Sequence, residues 1–252
     1  MNNAEKYRFS DFTLANYQSL LKLALEQGYV FSDYDLSPVP DARKIIWRHD
    51  VEFSVHIARK MAQIESDLGI VAHYFVQIHS EFYNTFEREI LDLILGIKSL
   101  GHKIGLHFDA HFWGVDSKDM LESCLNKDKI ILEELLDLRV TSFSFHNTTP
   151  QLLAMNDLYY AGLLNVYAKE IRDTFRYCAD STGFWRYERL EEVLQDNTIT
   201  NLQVLTHDGM WQEAAMAPRQ RVFKCIDGRA DRVKSLYDTS LPILGQLNID
   251  NE

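Results

Sequence analysis

The sequence predicts an α/β protein with a parallel sheet, and it favours a βα barrel over an open doubly wound sheet. The first observation is that short apolar runs recur along the chain and that segments with helical spacing separate many of them. Strands that alternate with helices of this length require a parallel sheet. The second observation is that neither GxGxxG nor GxxxxGK occurs, so an open nucleotide-binding sheet has no phosphate loop. The barrel is therefore the preferred architecture.

Strands are predicted at the apolar runs, and helices where apolar residues recur every three or four positions. Ser10 or Thr13 is expected to cap the first helix, while Gly28, Gly69 and Gly101 are stop signals after three helices. The predicted strands are KIIWRHD (44–50), VAHYFVQI (71–78), KIGLHFD (103–109), SFSFH (142–146), LLNVY (163–167), FRYCAD (175–180) and LQVLTH (202–207). The predicted helices span residues 10–27, 54–69, 85–101, about 118–136 and about 188–194, and the loop after the first contains Pro38 and Pro40.

The composition is that of a globular chain and excludes several classes of function. The hydrophobic share of 46% and the charged share of 25% exclude disorder over the whole chain. A net charge of −11 argues against a duplex-binding surface, which needs clustered Lys and Arg, so no nucleic-acid partner is expected. The 5 Pro and 11 Gly are spread over the whole length and form no Pro/Gly-rich linker. Residues 1–252 are therefore expected to form a single domain.

The chain is expected to be a cytoplasmic protein with no membrane span. The apolar runs are too short to cross a bilayer, and the first residues lack the apolar stretch of a secretory signal. Cys124, Cys178 and Cys225 show no CxxC spacing and are interpreted as reduced thiols. On the helix after the first predicted strand, His56 and Glu65 are expected at the surface.

Titratable residues gather where the predicted strands end. In a βα barrel the carboxyl ends of the strands carry the active site. A buried parallel strand normally consists of continuous Val, Ile and Leu, so repeated polar ends are not explained by the strands themselves. The residues at these ends are Asp50, Glu52, His79, His107, Asp109, His146, Asp180 and His207. Their regular placement predicts a functional site at this end of the barrel.

The segment His107–His111 has the spacing HxxxH. On a helical turn, residues four apart lie about 6 Å apart on one face and can share a metal ion. On a continuing strand they would be about 13 Å apart, which excludes a shared ion. The metal interpretation therefore requires the chain to coil just after His107. The alternative is that one histidine is satisfied in the core and the other lies on a loop.

Asp50 and Glu52 stand two apart, so an extended chain projects both to the same face. One of them can then bind a metal ion while the other reaches a water molecule. The alternative is that one caps the helix that begins near Ser54. A carboxylate with two imidazoles is a typical catalytic zinc set with an open position. His207 is a candidate general acid oriented by Asp180, or else a core histidine bonded to a carbonyl.

Five segments in this order resemble the motifs of the polysaccharide deacetylase superfamily, the NodB-homology domain of the carbohydrate esterase family 4 kind. The segments are RHDVEFS, GHKIGLHFDAH, SFHN, DSTGFWR and LQVLTHDGMW, and they run from about Lys44 to Trp211. The resemblance implies a deformed (β/α)7-type barrel. It implies a catalytic core over residues 44–211, with helical additions at about 10–27 and about 218–239, which either pack on the barrel or form a dimer.

The resemblance also implies roles for individual residues. Asp50 would be the catalytic base and His207 the general acid, and Asp180 would be the carboxylate that orients His207. Glu52, His107 and His111 would hold one divalent metal ion, with zinc expected and cobalt, nickel or manganese as alternatives. The residues predicted to bind substrate are His79, Tyr83, Asn84, His146, Asn147, Trp185, Arg186 and Trp211.

Two positions depart from the family pattern. Glu52 stands where Asp is commoner, which adds a methylene of reach. The usual Arg-Pro-x-Tyr segment is absent, and His146 and Asn147 occupy its place.

The function that these features predict is metal-dependent removal of an acetyl or formyl group from the nitrogen of a sugar or a carrier-linked sugar, as in surface polysaccharide biosynthesis. One alternative is a catalytically silent carbohydrate-binding or scaffold protein on the same fold. Another is a metal amidohydrolase of a small non-sugar amide. The sequence leaves the oligomeric state open.

Overall fold

A computed structural model describes residues 3–37 and 42–249, so the predicted loop prolines Pro38 and Pro40 lie outside the described residues. The strands are β1 (Tyr29–Phe31), β2 (Arg43–Val51), β3 (His73–Gln77), β4 (Lys103–Phe108), β5 (Ser142–Phe145), β6 (Tyr159–Tyr160), β7 (Leu163–Asn165), β8 (Arg176–Ala179) and β9 (Asn201–His207). The helices are α1 (Asn3–Tyr7), α2 (Leu14–Glu26), α3 (Val55–Asp67), α4 (Arg88–Ser99), α5 (Ala110–Trp113), α6 (Lys118–Leu136), α7 (Pro150–Ala154), α8 (Lys169–Thr174), α9 (Leu190–Gln195) and α10 (Pro218–Ile243).

The strands form one curled sheet in the order β6-β7-β5-β4-β3-β2-β9-β8. Besides β1, which lies off this path and is parallel to β2, every neighbouring pair from β7 to β8 is parallel, which gives seven parallel strands along the path within the described residues. These are the seven strands that the sequence predicts. The strand β6 is antiparallel to β7, and β1 pairs with the first residues of β2. In the described part of the chain no pairing joins β8 to β6 or β7. The predicted α/β barrel is thus confirmed as a deformed barrel that stays open on one side.

The helix boundaries follow the predicted capping signals. Thr13 caps α2 by accepting the backbone N–H of Asn16, and Ser54 caps α3 by accepting that of Ile57. Gly69 follows α3 at φ +71°, a left-handed conformation that glycine adopts without steric cost. The cap of α3 is therefore Ser54, and neither Asp50 nor Glu52 serves that purpose.

The two terminal helical segments pack differently on the sheet. The helix α2 buries an apolar face against the core, formed by Leu14, Tyr17, Leu20, Leu21 and Ala24. On α10, in contrast, the buried residue is Arg221, and large apolar side chains such as Ile226, Val233 and Tyr237 are exposed. None of the described helices is both long enough and apolar enough to cross a membrane.

One expectation about the surface is wrong. His56 is exposed as expected, but Glu65 on the same helix is fully buried. Its carboxylate accepts hydrogen bonds from the hydroxyl groups of Tyr17 and Tyr74, and it lies 2.6 Å from Nε2 of His49. A buried charge is tolerated when it is paired and hydrogen-bonded in this way.

Close packing against Gly105 in β4 leaves no room for a larger residue. A Cβ atom there would lie 2.5 Å from ring atoms of Phe75 on the adjacent strand. We expect Gly105→Ala to lower the free energy of unfolding by about 1–3 kcal/mol, the usual cost of overpacking. Gly228 in α10 is the matched control, since a Cβ there meets nothing within 4 Å. Gly228→Ala should be neutral or slightly stabilising. Denaturant unfolding of both variants tests this, and equal midpoints would contradict it.

Candidate active site

The register of the sheet brings two predicted ligands to the same level. Val51 of β2 pairs with Val76 of β3, so Glu52, the next residue, reaches the level of Gln77. Gln77 in turn pairs with His107 on β4. Because side chains alternate along a strand, Glu52 and His107 project to the same face of the sheet.

Glu52, His107 and His146 form a compact cluster at this level. Oε1 of Glu52 lies 3.0 Å from Nε2 of His107 and 2.9 Å from Nδ1 of His146. The two ring nitrogens are 3.2 Å apart. Burial alone would raise the pKa of Glu52, but His207, His107 and His146 hold it well below its usual range. The carboxylate is therefore ionised at neutral pH.

Ser144 fixes the tautomer of His107. The Ser144 hydroxyl donates to Oδ1 of Asp50 at 3.0 Å, so its oxygen is left to accept a hydrogen bond. Nδ1 of His107 lies 2.7 Å from that oxygen and must be the donor. The proton of a neutral His107 is thereby placed on Nδ1, and the lone pair of Nε2 points into the cluster. A metal-binding imidazole needs this arrangement.

Asp50 lies one layer below the cluster and lines the same cavity as Glu52. Its side chain is 2% exposed, and Oδ2 lies 3.8 Å from the guanidinium of Arg48 and 3.8 Å from Nδ1 of His107. The predicted common face of Asp50 and Glu52 is therefore present in the structure.

His207 lies across the cluster and is held by Asp180. Nδ1 of His207 donates to Asp180 at 2.6 Å, and Asp180 also accepts the indole N–H of Trp211 at 2.9 Å. Nε2 of His207 points toward Glu52, 3.9 Å from Oε1. Burial would lower the pKa of His207, but the carboxylates of Asp180 and Glu52 raise it to about 10. At neutral pH the imidazole carries a proton that it can donate.

Asp208 is a supporting residue that the sequence interpretation missed. Its buried carboxylate accepts the backbone N–H groups of Glu52 at 2.8 Å, of Phe53 at 3.2 Å and of Ser54. These bonds fix the chain that carries Glu52 as it leaves β2. The signal was present in the segment LTHDGMW, where Asp208 directly follows His207. Ser144 was missed as well, within the segment SFSFH.

A cavity of about 700 Å³ opens above these groups. Asp50, Glu52 and His207 line it, and so do Asn147 and Arg186, both predicted to bind substrate. Its volume lies in the range of about 300–1,000 Å³ that is usual for small-molecule sites.

His111, the third ligand implied by the resemblance, lies outside the cluster. The chain does coil after β4 as that prediction requires, because Asp109 caps the short helix α5. However, Nε2 of His111 is hydrogen-bonded to the backbone carbonyl of Asn147 at 2.8 Å. His146, predicted to bind substrate, occupies the third position beside Glu52 instead.

Three further residues predicted to bind substrate lie away from this cavity. His79 pairs with buried Asp128 at 3.1 Å, and its ring stacks on Phe112 at 3.7 Å. Tyr83 is buried, and its hydroxyl donates to the carbonyl of Val51 at 2.8 Å. Asn84 lies in a loop where its side chain accepts the backbone N–H of Phe86.

The two predicted substrate-binding tryptophans are core residues, so the expectation that they bind substrate is corrected here. Trp211 is 0% exposed and packs against Phe12 at 4.7 Å between ring centroids. Trp185 is 7% exposed and packs against the rings of Phe12 and Trp211. Neither ring presents a face to a ligand.

Comparisons with known proteins find similarity in fold. No family model and no curated protein matches the sequence. A family 4 carbohydrate esterase from Bacillus anthracis has a TM-score of 0.46 and 15% identity over 84% of this chain and 85% of its own. The chitin deacetylase of the fungal pathogen Colletotrichum lindemuthianum has a TM-score of 0.46 and 14% identity over 73% and 81%. A family 4 pseudoenzyme from Bacillus anthracis has a TM-score of 0.43 and 15% identity over 81% and 66%.

The deformed barrel implied by the motifs is the fold observed.

The donor set of the cluster fits a divalent metal ion. Zinc bonds of about 2.0–2.1 Å at tetrahedral angles place ligand atoms about 3.3 Å apart. The three donor atoms of Glu52, His107 and His146 are 2.9–3.2 Å apart. One carboxylate and two imidazoles leave a further coordination position open, as catalytic zinc sites do.

This geometry predicts which histidines hold the ion. His107→Ala and His146→Ala should each weaken zinc binding by more than about 100-fold, since even outer-shell partners are worth 10–100-fold. His111→Ala should keep the ion, because its ring nitrogen is bonded to a carbonyl. Titration calorimetry with zinc and metal analysis of the purified proteins measure this, with His56→Ala on the exposed face of α3 as the control. Loss of zinc in His111→Ala but not in His146→Ala would instead support the ligand set implied by the resemblance.

Proposed function

We propose that this protein is a metal-dependent hydrolase that removes an acetyl or formyl group from the nitrogen of a sugar or a carrier-linked sugar. The observation that carries the proposal is the convergence of three functions around Glu52, which lines the cavity together with Asp50 and His207. Glu52, His107 and His146 offer a metal site, Asp50 offers a buried carboxylate, and His207 offers a protonated imidazole. Metal-assisted hydrolysis of an amide uses these three functions, because the ion activates the water, the base accepts its proton and the acid protonates the departing amine.

A divalent ion bound here would lower the pKa of a coordinated water toward about 7 and polarise the acyl carbonyl. Residues of the chain carry out the proton transfers. Asp50 accepts the proton of the attacking water. It is held for this role by the Ser144 hydroxyl at 3.0 Å and lies next to the guanidinium of Arg48. The buried Arg48 on β2 supplies a positive charge beside the base.

His207 protonates the departing amine. Its Nδ1 is held by Asp180, so its Nε2 is the nitrogen that faces the cavity. Because the pKa of His207 is raised to about 10, this nitrogen carries its proton throughout the neutral range. Acid catalysis of this kind contributes about 10²–10⁴-fold to the rate.

A sugar substrate is supported by the motif series and by the lining of the cavity. Asn147, Thr148, Ser181 and Thr182 offer hydrogen-bonding groups, and Tyr187, which is 80% exposed, offers an aromatic face. Hydroxyl groups of a sugar pair with such polar groups, while its C–H faces pack on aromatic rings.

The role of Asp50 is testable by a change that preserves shape. Asp50→Asn should retain bound zinc and lose about 10²–10⁴-fold in turnover, because the amide cannot accept the proton of the water. The measurement is release of acetate or formate from a panel of N-acetylated and N-formylated amino sugars, with and without a chelator. Asp157→Asn is the control, since Asp157 is exposed and paired with Lys118 on the surface.

Near-full activity of Asp50→Asn would show that another group is the base. If the zinc-loaded wild type binds these sugars without turnover, the protein is a silent binding protein. Faster hydrolysis of small non-sugar amides in the same assay would exclude the sugar assignment.

A further inference from the structure

Two arginines line the cavity without a carboxylate partner. Arg172 lies on α8 and Arg186 follows a 3-10 turn after β8, and both side chains are exposed. Within the described part of the chain, no carboxylate lies within ion-pair distance of either guanidinium. By contrast, the nearby exposed Arg176 is paired with Glu188 at 2.5 Å. The charges of Arg172 and Arg186 are thus directed at the cavity and its solvent.

The acidic residues of the cavity do not need these two cations. Asp50 and Glu52 are the acidic residues among those that line it. Asp50 lies 3.8 Å from the buried guanidinium of Arg48. Glu52 is contacted by His107 and His146, with His207 nearby. Two positive charges therefore remain at the cavity wall of a chain whose net charge is −11.

The helix that carries Arg172 is anchored by packing, whereas Arg186 is exposed and lies against the exposed ring of Tyr187. The helix α8 is anchored by Ile171, which packs with Ala168, Phe175 and Ile46 in a small core cluster. Arg186 lies over the ring of Tyr187, with 5.5 Å between the guanidinium carbon and the ring centroid. A charged side chain on an anchored element loses less conformational entropy when it binds a ligand.

We propose that the substrate carries an oxyanion, a phosphate or a carboxylate, in addition to its acylated amino sugar, and that Arg172 and Arg186 bind this group. The sugar part of this statement rests on the proposed function. The planar guanidinium presents paired N–H donors that match both phosphate and carboxylate oxygens. The cavity of about 700 Å³ has room for such a group beyond the acyl-bearing ring.

Binding is measured by calorimetry on the zinc-loaded Asp50→Asn variant, which should not consume the ligand. The probes are N-acetylglucosamine, its 1-phosphate and its 6-carboxylate. We expect each charged sugar to bind at least about tenfold more tightly than the neutral one at low salt, with a smaller difference at high salt. Adding Arg172→Gln and Arg186→Gln should remove the difference, whereas adding Arg176→Gln should leave it. The two charged probes distinguish phosphate from carboxylate.

Equal or undetectable binding of the charged and neutral sugars would overturn the proposal. A preference that survives the double arginine change would overturn the assignment to these residues. Hydrolysis by the wild-type protein is followed separately with the same three sugars. If none is hydrolysed but the charged sugars bind through the arginines, the hydrolase function fails and the oxyanion site stands. If all three are hydrolysed at equal kcat/KM, the function stands and the oxyanion site fails.

Discussion

The carboxylate of Glu52 is the group around which this site is organised. A buried carboxylate is stable only when charges and hydrogen-bond donors surround it. Here three imidazoles, from His107, His146 and His207, approach it, and together they hold its pKa well below the usual range. Those rings come from β4, from the end of β5 and from β9, so the position of one carboxylate constrains the register of several strands. Asp208 adds the last constraint by fixing the backbone at Glu52.

The opposite face of β2 explains how that strand is held. His49, next to Asp50 in the chain, points away from the cavity and contacts Glu65 on α3 at 2.6 Å. Glu65 also accepts hydrogen bonds from Tyr74 on β3 and Tyr17 on α2. Burial raises the pKa of Glu65, but His49, followed by His102 and Tyr17, brings it below its usual value. Contacts with α2, α3 and β3 therefore fix one face of β2, and this holds Asp50 and Glu52 in place on the opposite face.

The sequence was sufficient for the elements with a strong periodic or apolar signal and for residues at strand ends. The seven parallel strands from β7 to β8 were predicted, because each is a run of apolar residues that both faces of a covered sheet require. The strands β1 and β6 were missed because three and two residues carry no periodic signal. The short helices α7 and α8 were missed for the same reason.

The candidate site was predictable in part. Asp50 and Glu52 were placed together because alternation along a strand is a local property. The contact between His207 and Asp180 was also predicted, because both residues stand at strand ends. The position of His146 was not predictable, because it depends on how the sheet curls between β2 and β5. The burial of Trp211 depends on the packing of Phe12, which lies far away in sequence. Glu65 was misplaced because a helical pattern does not reveal which polar residue finds buried partners.

The open side of the sheet is the feature that connects the fold to the substrate. A closed barrel of this size has an interior filled by side chains. Here β8 does not pair with β7 among the described residues, and the cavity is lined on one side by Val166 and Tyr167, just after β7. On the other side it is lined by Tyr177 of β8 and by Arg172, just before that strand. The cavity therefore borders the gap between β7 and β8 on both sides. The proposed catalytic groups Asp50 and His207 lie at the carboxyl ends of β2 and β9, while the two arginines belong to segments around the unpaired edge. In the proposed function, different parts of the same sheet thus carry the hydrolysis and the binding of the charged group.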